Sequence, residues 1–373
     1  MDIGVPREQR DADYRVGLTP SRVQLLVQDG HRVFVERGAG LGSGFHDDDY
    51  QAAGAIMVYT LEEVYGQAEM VVKVAKPTRA EFQLMQDGQI VMSFMHLAAG
   101  ERAKIETLLN KRVTAIAQET IQTDDGTLPV LLPISQIAGR MVPQVAAHYL
   151  ENLSGGKGVL LGGVPGVPPA EVVILGGGVV GTYAARTFLG MGAHVHILDR
   201  NPRRLQALDD RFDGRVRTMV SHPVSIAKMV SFADVLVGCV LIPGARAPIL
   251  VTREMVRAMR PRSLIIDVSI DQGGCVETSR PTTNRNPIFI EEGVIHYCVP
   301  NMTGVVARTA THALNNASWP YIHQIAELGI EAAMEANPSL ARGVSTHNGE
   351  ILSPTLMRIF EGREPLVDVS ERG

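Results

Sequence analysis

The second half of the chain alternates short apolar runs with amphipathic stretches of helical length. Six apolar runs predict β-strands, at residues 172–175, 194–198, 215–220, 234–240, 263–268 and 294–298. The first four gaps hold amphipathic stretches that predict helices, at residues 182–191, 202–211, 223–232 and 252–260. The fifth gap, around residues 275–287, is irregular. Strands joined by helices form a parallel sheet covered on both faces, and this number and order of elements predict a doubly wound dinucleotide-binding domain.

The first part of the chain also alternates strands and helices, with strands predicted at residues 31–36, 70–73 and 89–95. After about residue 305 the pattern is mainly helical, at residues 307–317 and 319–336. A helical tail of this size is too small to bury a core of its own, so we expect it to pack on the first unit. The fold class is therefore α/β, with two doubly wound domains. We predict a discontinuous catalytic and substrate domain of residues 1–130 and 305–373, and a Rossmann domain of residues 131–304.

A Gly-Gly-Gly-Val-Val-Gly segment at residues 176–181 joins the first strand of the predicted Rossmann domain to its first helix. The segment is a G-x-G-x-x-G motif in the position where such motifs bind dinucleotides. Gly176 permits the tight turn, Gly178 lets the backbone approach a pyrophosphate, and Gly181 lets the helix pack closely on the strand. A plain glycine turn is the alternative, and the surrounding strand and helix argue against it.

Asp199 ends the second predicted strand of this domain, 21 residues after Gly178. An acidic side chain there accepts hydrogen bonds from the ribose hydroxyls of NAD and repels the 2′-phosphate of NADP. Arg200 and Arg203 follow closely, and a guanidinium in that position could pair with a 2′-phosphate instead. We favour NAD as the cofactor, with NADP as the alternative.

Composition excludes several other classes of function. The 373 residues carry 35 Lys and Arg against 40 Asp and Glu, so no basic surplus is present for binding nucleic acid. No segment reaches the ~20 apolar residues of a membrane span, and residues 1–8 lack the features of a secretion signal. The three cysteines have no CxxC spacing, and neither H-E-x-x-H nor G-x-S-x-G occurs. We therefore expect a cytoplasmic protein without a metal, a membrane segment or a nucleic-acid partner.

A nicotinamide enzyme needs a group that moves a proton and, for an acidic substrate, a cation. His96 follows the apolar run of residues 91–95, at the end of a predicted strand. Asp271 opens a loop after the strand at residues 263–268, near the edge where ligands bind. Arg15 is a candidate for binding a carboxylate. Taken singly, these residues could equally be a packed histidine, a turn aspartate and a surface cation.

Many segments along nearly the whole chain are similar to bacterial alanine dehydrogenases and, more distantly, to the NAD-binding part of proton-translocating transhydrogenases. The matching segments are residues 4–8, 15–16, 31, 38–40, 96–99, 133–135, 138–140, 155–169, 176–181, 243–245, 270–274, 280–283, 297–299, 301–302 and 345–347. The resemblance implies NAD-dependent, reversible oxidative deamination of L-alanine to pyruvate and ammonia by a homohexamer. It gives His96 the acid/base role and Asp271 the positioning of water or ammonia.

The resemblance also assigns the binding residues. Arg15 matches the cation that binds the substrate carboxylate, and we place Lys76 and Asn301 at the substrate with it. The residues expected to line the cofactor are Ser135, Gly176, Gly178, Val179, Val180, Gly181, Asp199, Arg203, Ser221, Cys239, Val240, Leu241, Val268 and Val299.

Two segments depart from the resemblance. The family usually reads Lys-Val-Lys-Glu-Pro where residues 73–77 read Lys-Val-Ala-Lys-Pro, so Ala75 stands in place of a substrate-binding lysine. At residues 299–307 the chain carries Pro300, Thr303 and Ala307 where the family commonly has alanine, proline and proline. These changes fall beside the expected nicotinamide and substrate.

Side chains alternate faces along a strand, so Ala75 and Lys76 point opposite ways if the strand persists to Pro77. On that basis we expect weak alanine dehydrogenase activity with a high KM for pyruvate, unless the strand end turns Lys76 into the site. Two alternatives follow from the Ala75 change. One is a paralogous dehydrogenase for another amino or oxo acid, and the other is a nucleotide-binding protein with weakened or lost catalysis.

Overall fold

The computed structural model describes residues 1–99, 101–242 and 245–362. Pro243 and Gly244, which belong to the resemblance, and residues 363–373, which end the predicted first domain, lie outside the described residues. The chain divides into two compact units. Of the described residues, the first unit comprises Met1–Ile134, Ala245 and residues 303–362, and the second comprises Ser135–Ile242 and Arg246–Met302.

The described strands and helices follow in chain order. The strands are β1 (Asp2–Val5), β2 (Arg32–Glu36), β3 (Ile56–Val58), β4 (Met70–Val72), β5 (Ile90–Ser93), β6 (Thr114–Ala117), β7 (Glu171–Leu175), β8 (His194–Asp199), β9 (Val216–Val220), β10 (Val235–Gly238), β11 (Leu264–Asp267), β12 (Ile288–Glu291), β13 (Val294–Tyr297), β14 (Val344–His347) and β15 (Glu350–Ile351). The helices are α1 (Pro20–Gln28), α2 (Asp47–Ala52), α3 (Leu61–Gln67), α4 (Arg79–Leu84), α5 (Arg102–Asn110), α6 (Leu131–Tyr149), α7 (Val179–Gly190), α8 (Pro202–Phe212), α9 (Pro223–Phe232), α10 (Arg253–Arg257), α11 (Ala307–Leu328), α12 (Ile330–Ala336), α13 (Pro338–Gly343) and α14 (Pro354–Phe360).

The first unit contains a sheet with the order β15-β14-β6-β5-β4-β1-β2-β3. Strands β1 to β6 pair in parallel, whereas β14 and β15 add to the β6 edge in antiparallel orientation. Leu314, Ile322 and Ile325 of α11 are buried in the same hydrophobic core as Ile3 and Val33 from the N-terminal strands. The C-terminal part of the chain therefore completes the first unit, as the sequence predicts.

The second unit contains a sheet with the order β12-β13-β11-β10-β7-β8-β9. Along this order, the six strands β13, β11, β10, β7, β8 and β9 all pair in parallel with their neighbours. Numbered within the unit, these six strands have the order 3-2-1-4-5-6 of the doubly wound dinucleotide-binding fold. The predicted α/β fold class is thus confirmed. The edge strand β12, antiparallel to β13, was not predicted because it follows the irregular gap around residues 275–287.

Helix boundaries differ from the sequence prediction where a proline or a glycine interrupts the apolar pattern. Helix α11 runs without a break through Pro320, where two helices were predicted, and the chain turns at Gly329 (φ 77°) instead. A proline removes only one helical hydrogen bond, so the packing of α11 on the core can offset its cost. Helix α6 was not predicted, and it contains Pro133 and Pro143.

Strand β4 ends at Val72, one residue before the predicted end and well before Pro77. The backbone amide of Lys73 still donates to Met92, but Val74 and Ala75 form a bend. The strand therefore does not persist to Pro77, as the alternation of Ala75 and Lys76 between opposite faces would require. The orientations of Ala75 and Lys76 follow from the bend rather than from strand parity.

Among the described residues, none of the helices combines the length and the apolar character that crossing a bilayer requires.

Candidate functional site

The glycine-rich turn joins β7 to α7 with geometry that only glycine permits at two of its positions. Gly176 has φ 108°, and a Cβ on it would lie 2.8 Å from the carbonyl oxygen of Cys239. A Cβ on Gly181 would lie 2.0 Å from the carbonyl oxygen of Gly176, so α7 approaches the strand end more closely than any side chain allows. Gly178 differs, because a Cβ there would meet no atom within 4 Å. The open space lies beside the N-terminus of α7, whose amides and dipole favour an anion.

Asp199 is the last residue of β8, and its side chain is bound to the glycine-rich turn. Its Oδ2 accepts hydrogen bonds from the Gly177 amide (2.8 Å) and from Arg204 (3.0 Å), and Oδ1 accepts one from the Asn201 amide (2.9 Å). Burial raises the pKa of Asp199, but these hydrogen bonds and the charge of Arg204 outweigh it, so the pKa lies below its ordinary value. The carboxylate is therefore ionised and fixed at the turn.

The predicted cofactor residues of the second unit cluster at one edge of its sheet. Six of them lie at or just after the carboxyl ends of parallel strands, namely Gly176 (β7), Asp199 (β8), Ser221 (β9), Cys239 (β10), Val268 (β11) and Val299 (β13). Ligands of open α/β sheets bind at this edge, at the switch point that here lies between β7 and β10. Val240 and Leu241 continue the loop after β10, while Val179 and Val180 begin α7.

Two predicted residues are placed differently. Ser135 is half-buried within α6 rather than at a strand end. Arg203 is exposed on the first turn of α8, and its described contact is the hydrogen bond from its backbone amide to Asn201. The arginine that contacts Asp199 is Arg204, the residue after Arg203, which was not among the predicted cofactor residues.

Asp267 organises the loop that carries Asp271. The Asp267 carboxylate is 1% exposed and accepts hydrogen bonds from the backbone amides of Ser269 (3.1 Å), Cys275 (2.9 Å) and Val276 (3.2 Å). Burial raises its pKa above the ordinary value, against the effect of these hydrogen bonds. A single buried side chain thus closes the loop at both ends.

Asp271 and Asn301, both predicted to act at the substrate, are in direct contact. The amide of Asn301 donates to Oδ1 of Asp271 at 3.0 Å. Asn301 has φ 53°, in the left-handed region that is uncommon for residues other than glycine. The left-handed conformation directs the Asn301 amide toward the Asp271 carboxylate, which accepts its hydrogen bond.

His96 lies just beyond β5 and also has a left-handed backbone, with φ 45°. Glu119 accepts hydrogen bonds from the amides of Met95 (3.1 Å) and His96 (2.6 Å), and its Oε1 lies 3.9 Å from the His96 Nδ1. The buried carboxylate therefore holds the strained turn and faces the imidazole. Glu119 was missed because β6, which it follows, was not among the predicted strands; a carboxylate directly after a buried run was the available signal.

Arg15 is 2% exposed and forms a buried ion pair. Its Nε and Nη2 donate to the two oxygens of Asp13 at 2.8 and 2.6 Å, and its Nη1 donates to the Thr303 hydroxyl at 3.3 Å. Burial raises the pKa of Asp13, but Arg15 outweighs it and lowers the pKa below its ordinary value. The predicted carboxylate-binding cation is thus held rigidly by its own chain.

A second buried charge cluster surrounds the segment that lacks the family's lysine. Lys73 is fully buried, and its Nζ contacts Glu8 (3.1 Å), Glu81 (2.9 Å) and the Ala75 carbonyl oxygen (3.1 Å). Burial lowers the pKa of Lys73, but the two carboxylates outweigh it and raise the pKa. Ala75 is fully buried, whereas the predicted substrate residue Lys76 is partly exposed.

One group of potential metal ligands occurs in the described part of the chain. Single ligand atoms of Asp29, His323 and Glu327 lie within 4.8 Å of one another. Two of these residues are exposed, and all three are engaged in ion pairs, His323 with Asp29 and Glu327 with His31.

Three glycine-to-alanine variants test the geometry of the turn. We expect Gly178→Ala to fold normally but to raise the Kd for NADH at least about tenfold, because its methyl group would fill the space that a pyrophosphate needs. Gly181→Ala should destabilise the protein by about 1–3 kcal/mol, since its Cβ overlaps backbone. Gly190→Ala, in the same helix with no atom within 4 Å of the new Cβ, is the control. Fluorescence titration measures the Kd for NADH, and chemical denaturation measures the free energy of unfolding. Wild-type NADH affinity in Gly178→Ala would contradict the placement of the pyrophosphate at Gly178.

The chain is similar to known proteins along nearly its whole length. The chain matches the models of the alanine dehydrogenase/PNT N-terminal domain at residues 4–138 and C-terminal domain at residues 142–354. It is 54% identical to an alanine dehydrogenase of Methanococcus maripaludis over 94% of both chains. A solved L-alanine dehydrogenase is 48% identical, with a TM-score of 0.89 over 98% of this chain and 100% of that one. A transhydrogenase from Sinorhizobium meliloti, 24% identical with a TM-score of 0.76 over 95% of this chain and 99% of that one, shares the fold. The chain belongs to the alanine dehydrogenase/PNT family.

Proposed function

We propose that this chain is an NAD-dependent alanine dehydrogenase, which interconverts L-alanine with pyruvate and ammonia. The observation that carries the proposal is the 54% identity to a protein named alanine dehydrogenase over nearly the full length of both chains. Gly176, Gly178 and Gly181, with Asp199 at the end of β8, fit a dinucleotide at the carboxyl edge of the second sheet. When bound, NAD supplies the hydride acceptor for the substrate Cα.

The chain's own side chains supply the remaining chemistry. His96 acts as the general acid and base that transfers protons to and from the reacting nitrogen and oxygen atoms. Glu119 fixes the turn that carries the His96 imidazole. Asp271 positions the attacking water or ammonia, and its contact with the Asn301 amide fixes the carboxylate. A buried Asp267 beneath the loop keeps Asp271 in place without touching substrate.

Substrate binding is assigned to Arg15, Lys76 and Asn301. Arg15 offers a guanidinium that Asp13 has already oriented, so little side-chain entropy is lost when a carboxylate binds. Lys76, beside the bend at Val74 and Ala75, is the second cation of the segment that departs from the family, after the buried Lys73.

NAD rather than NADP is supported by Asp199. Its carboxylate is ionised and lies at the strand end where a ribose hydroxyl would bind, and a phosphate would meet its negative charge. Arg204 is already paired with that carboxylate. A homohexamer in the cytoplasm, expected from the resemblance and the cysteine pattern, completes the proposal; the three cysteines are free and buried.

The activity is tested with purified protein, NADH and ammonia against a panel of 2-oxo acids. We expect pyruvate to be reduced, with alanine as the product. A preference for a larger oxo acid would favour the paralogous dehydrogenase, which the Ala75 change allows. Binding of NADH without turnover of any acid would contradict the proposed activity and favour a nucleotide-binding protein.

The cofactor preference is tested in the same assay. We expect kcat/KM for NADH to exceed that for NADPH, because Asp199 cannot share its position with a 2′-phosphate. The ratio should fall in Asp199→Ala, while Asp210→Ala, on the exposed face of α8, should leave it unchanged. Equal or better use of NADPH by the wild-type protein would show that a neighbouring arginine decides the preference.

His96→Ala and Asp271→Ala should each lower turnover by about a hundredfold or more while leaving NADH affinity nearly unchanged, since acid/base assistance contributes about 10² to 10⁴ in rate. Asp271→Asn separates charge from structure, because its amide oxygen can still accept the Asn301 amide. His148→Ala, at an exposed position of α6, is the control. Near-normal turnover in either alanine variant, under conditions where chemistry limits the rate, would show that the assigned role is wrong.

A further inference from the structure

Two edges of the Arg15 guanidinium are used differently. The Nε and Nη2 groups face Asp13, which accepts from both, at 2.8 and 2.6 Å. The Nη1 group points instead to the Thr303 hydroxyl, at 3.3 Å. Because Asp13 takes the Nε edge, a carboxylate that binds Arg15 must approach from the Nη1 side. Thr303 therefore lies where such a carboxylate would bind.

The position of Thr303 is fixed by packing against the segment that carries Arg15. The residue is 3% exposed and lies in a short 3₁₀ turn, Met302–Val306, just before α11. A Cβ on Gly304 would lie 3.3 Å from the Ala12 carbonyl oxygen and 3.3 Å from Oδ1 of Asp13, so the turn packs directly on the segment that carries Arg15.

A second set of hydrogen bonds anchors that segment to α11. Thr311 accepts the Val16 amide at 3.2 Å and is hydrogen-bonded to Ser43 at 2.8 Å, while Ser43 donates to the Tyr14 carbonyl oxygen at 2.9 Å. The backbone around Arg15 is thus held to the helix that follows the Thr303 turn. The distance from Thr303 to Arg15 is set by this framework rather than by a flexible surface contact.

The chemistry of a hydroxyl gives Thr303 a further capacity. A threonine hydroxyl can accept hydrogen bonds and also donates one. In the part of the chain that the structure describes, its one hydrogen bond is the one it accepts from Arg15, so its proton is available to a ligand. Ala75, which stands where the family's substrate-binding lysine would be, has no donor in its side chain.

We propose that Thr303 is a substrate-positioning residue, whose hydroxyl donates a hydrogen bond to the carboxylate of the 2-oxo acid bound at Arg15. The proposal rests on the proposed function, in which Arg15 binds that carboxylate. The Arg15 guanidinium and the neutral Thr303 hydroxyl then both bind the carboxylate. The hydroxyl both orients Nη1 and binds the ligand, so its removal weakens binding more than folding.

The test compares Thr303→Val, which keeps the shape but removes the hydroxyl, with Thr303→Ser, which keeps the hydroxyl. Hydrogen bonds to charged groups contribute about 1.5–3 kcal/mol, so Thr303→Val should raise the KM for pyruvate by about 10- to 100-fold. We expect kcat and the KM for NADH to stay within about twofold, and Thr303→Ser to stay within about threefold of wild type throughout. Thr346→Val removes another buried hydroxyl of the same unit, which donates to the Val113 carbonyl oxygen, and controls for the loss of a structural hydrogen bond.

Equilibrium binding of pyruvate to the protein–NADH complex, measured by calorimetry, gives a readout that does not depend on turnover. The Kd for pyruvate should rise in Thr303→Val by the same factor as KM. An unchanged KM and Kd, a loss confined to kcat, or an equal loss in Thr303→Ser would overturn the proposal. If the wild-type protein turns over no oxo acid, the proposed function fails, and the calorimetry still decides: weaker pyruvate binding in Thr303→Val supports the role of Thr303, whereas equal binding, or none to the wild type, overturns it.

Discussion

Parallel strand pairing is the constraint on which the candidate site depends. Because β7, β8, β10, β11 and β13 all run the same way, the residues that follow them meet at one edge of the second sheet. The close approach of α7 to β7 at Gly181 keeps that edge open at the switch point. In the first unit the same pairing brings the ends of β5 and β6 together, and so places Glu119 against His96.

The first unit also contains a cluster of buried charged side chains. The carboxylates of Glu8, Asp13 and Glu81 lie around the two buried cations Arg15 and Lys73. Charges removed from water must be paired, and each cation here has at least one carboxylate within 3.1 Å. Burial raises the pKa of Glu8 above its ordinary value, against the opposing effect of the nearby Lys73. Lys73 is thus paired with Glu8 and Glu81 although no lysine stands at position 75.

The alternation of short apolar runs with amphipathic stretches, and the glycine spacing, made most of the second unit predictable from the sequence. The six parallel strands of the second unit and the return of α11 to the first were predicted because their patterns are strong. Elements with competing signals were missed: α6 contains two prolines, and β12 follows an irregular loop. Within the candidate site, strand-end residues such as His96, Asp199 and Asp271 could be named in advance. Their partners Glu119, Arg204 and Asp267 could not, because which side chain turns back onto a loop is decided by tertiary packing.

The hydrogen bond between Asp199 and the Gly177 amide links cofactor choice to the architecture of the turn. A change of cofactor to NADP calls for a small or basic residue at this position, because an acidic one repels the 2′-phosphate. Here the same carboxylate also satisfies two backbone amides and a guanidinium, so such a replacement would leave three donors without their acceptor. An engineered change of coenzyme would therefore require a new acceptor for Gly177, and compensating substitutions in α8 are the place to supply it.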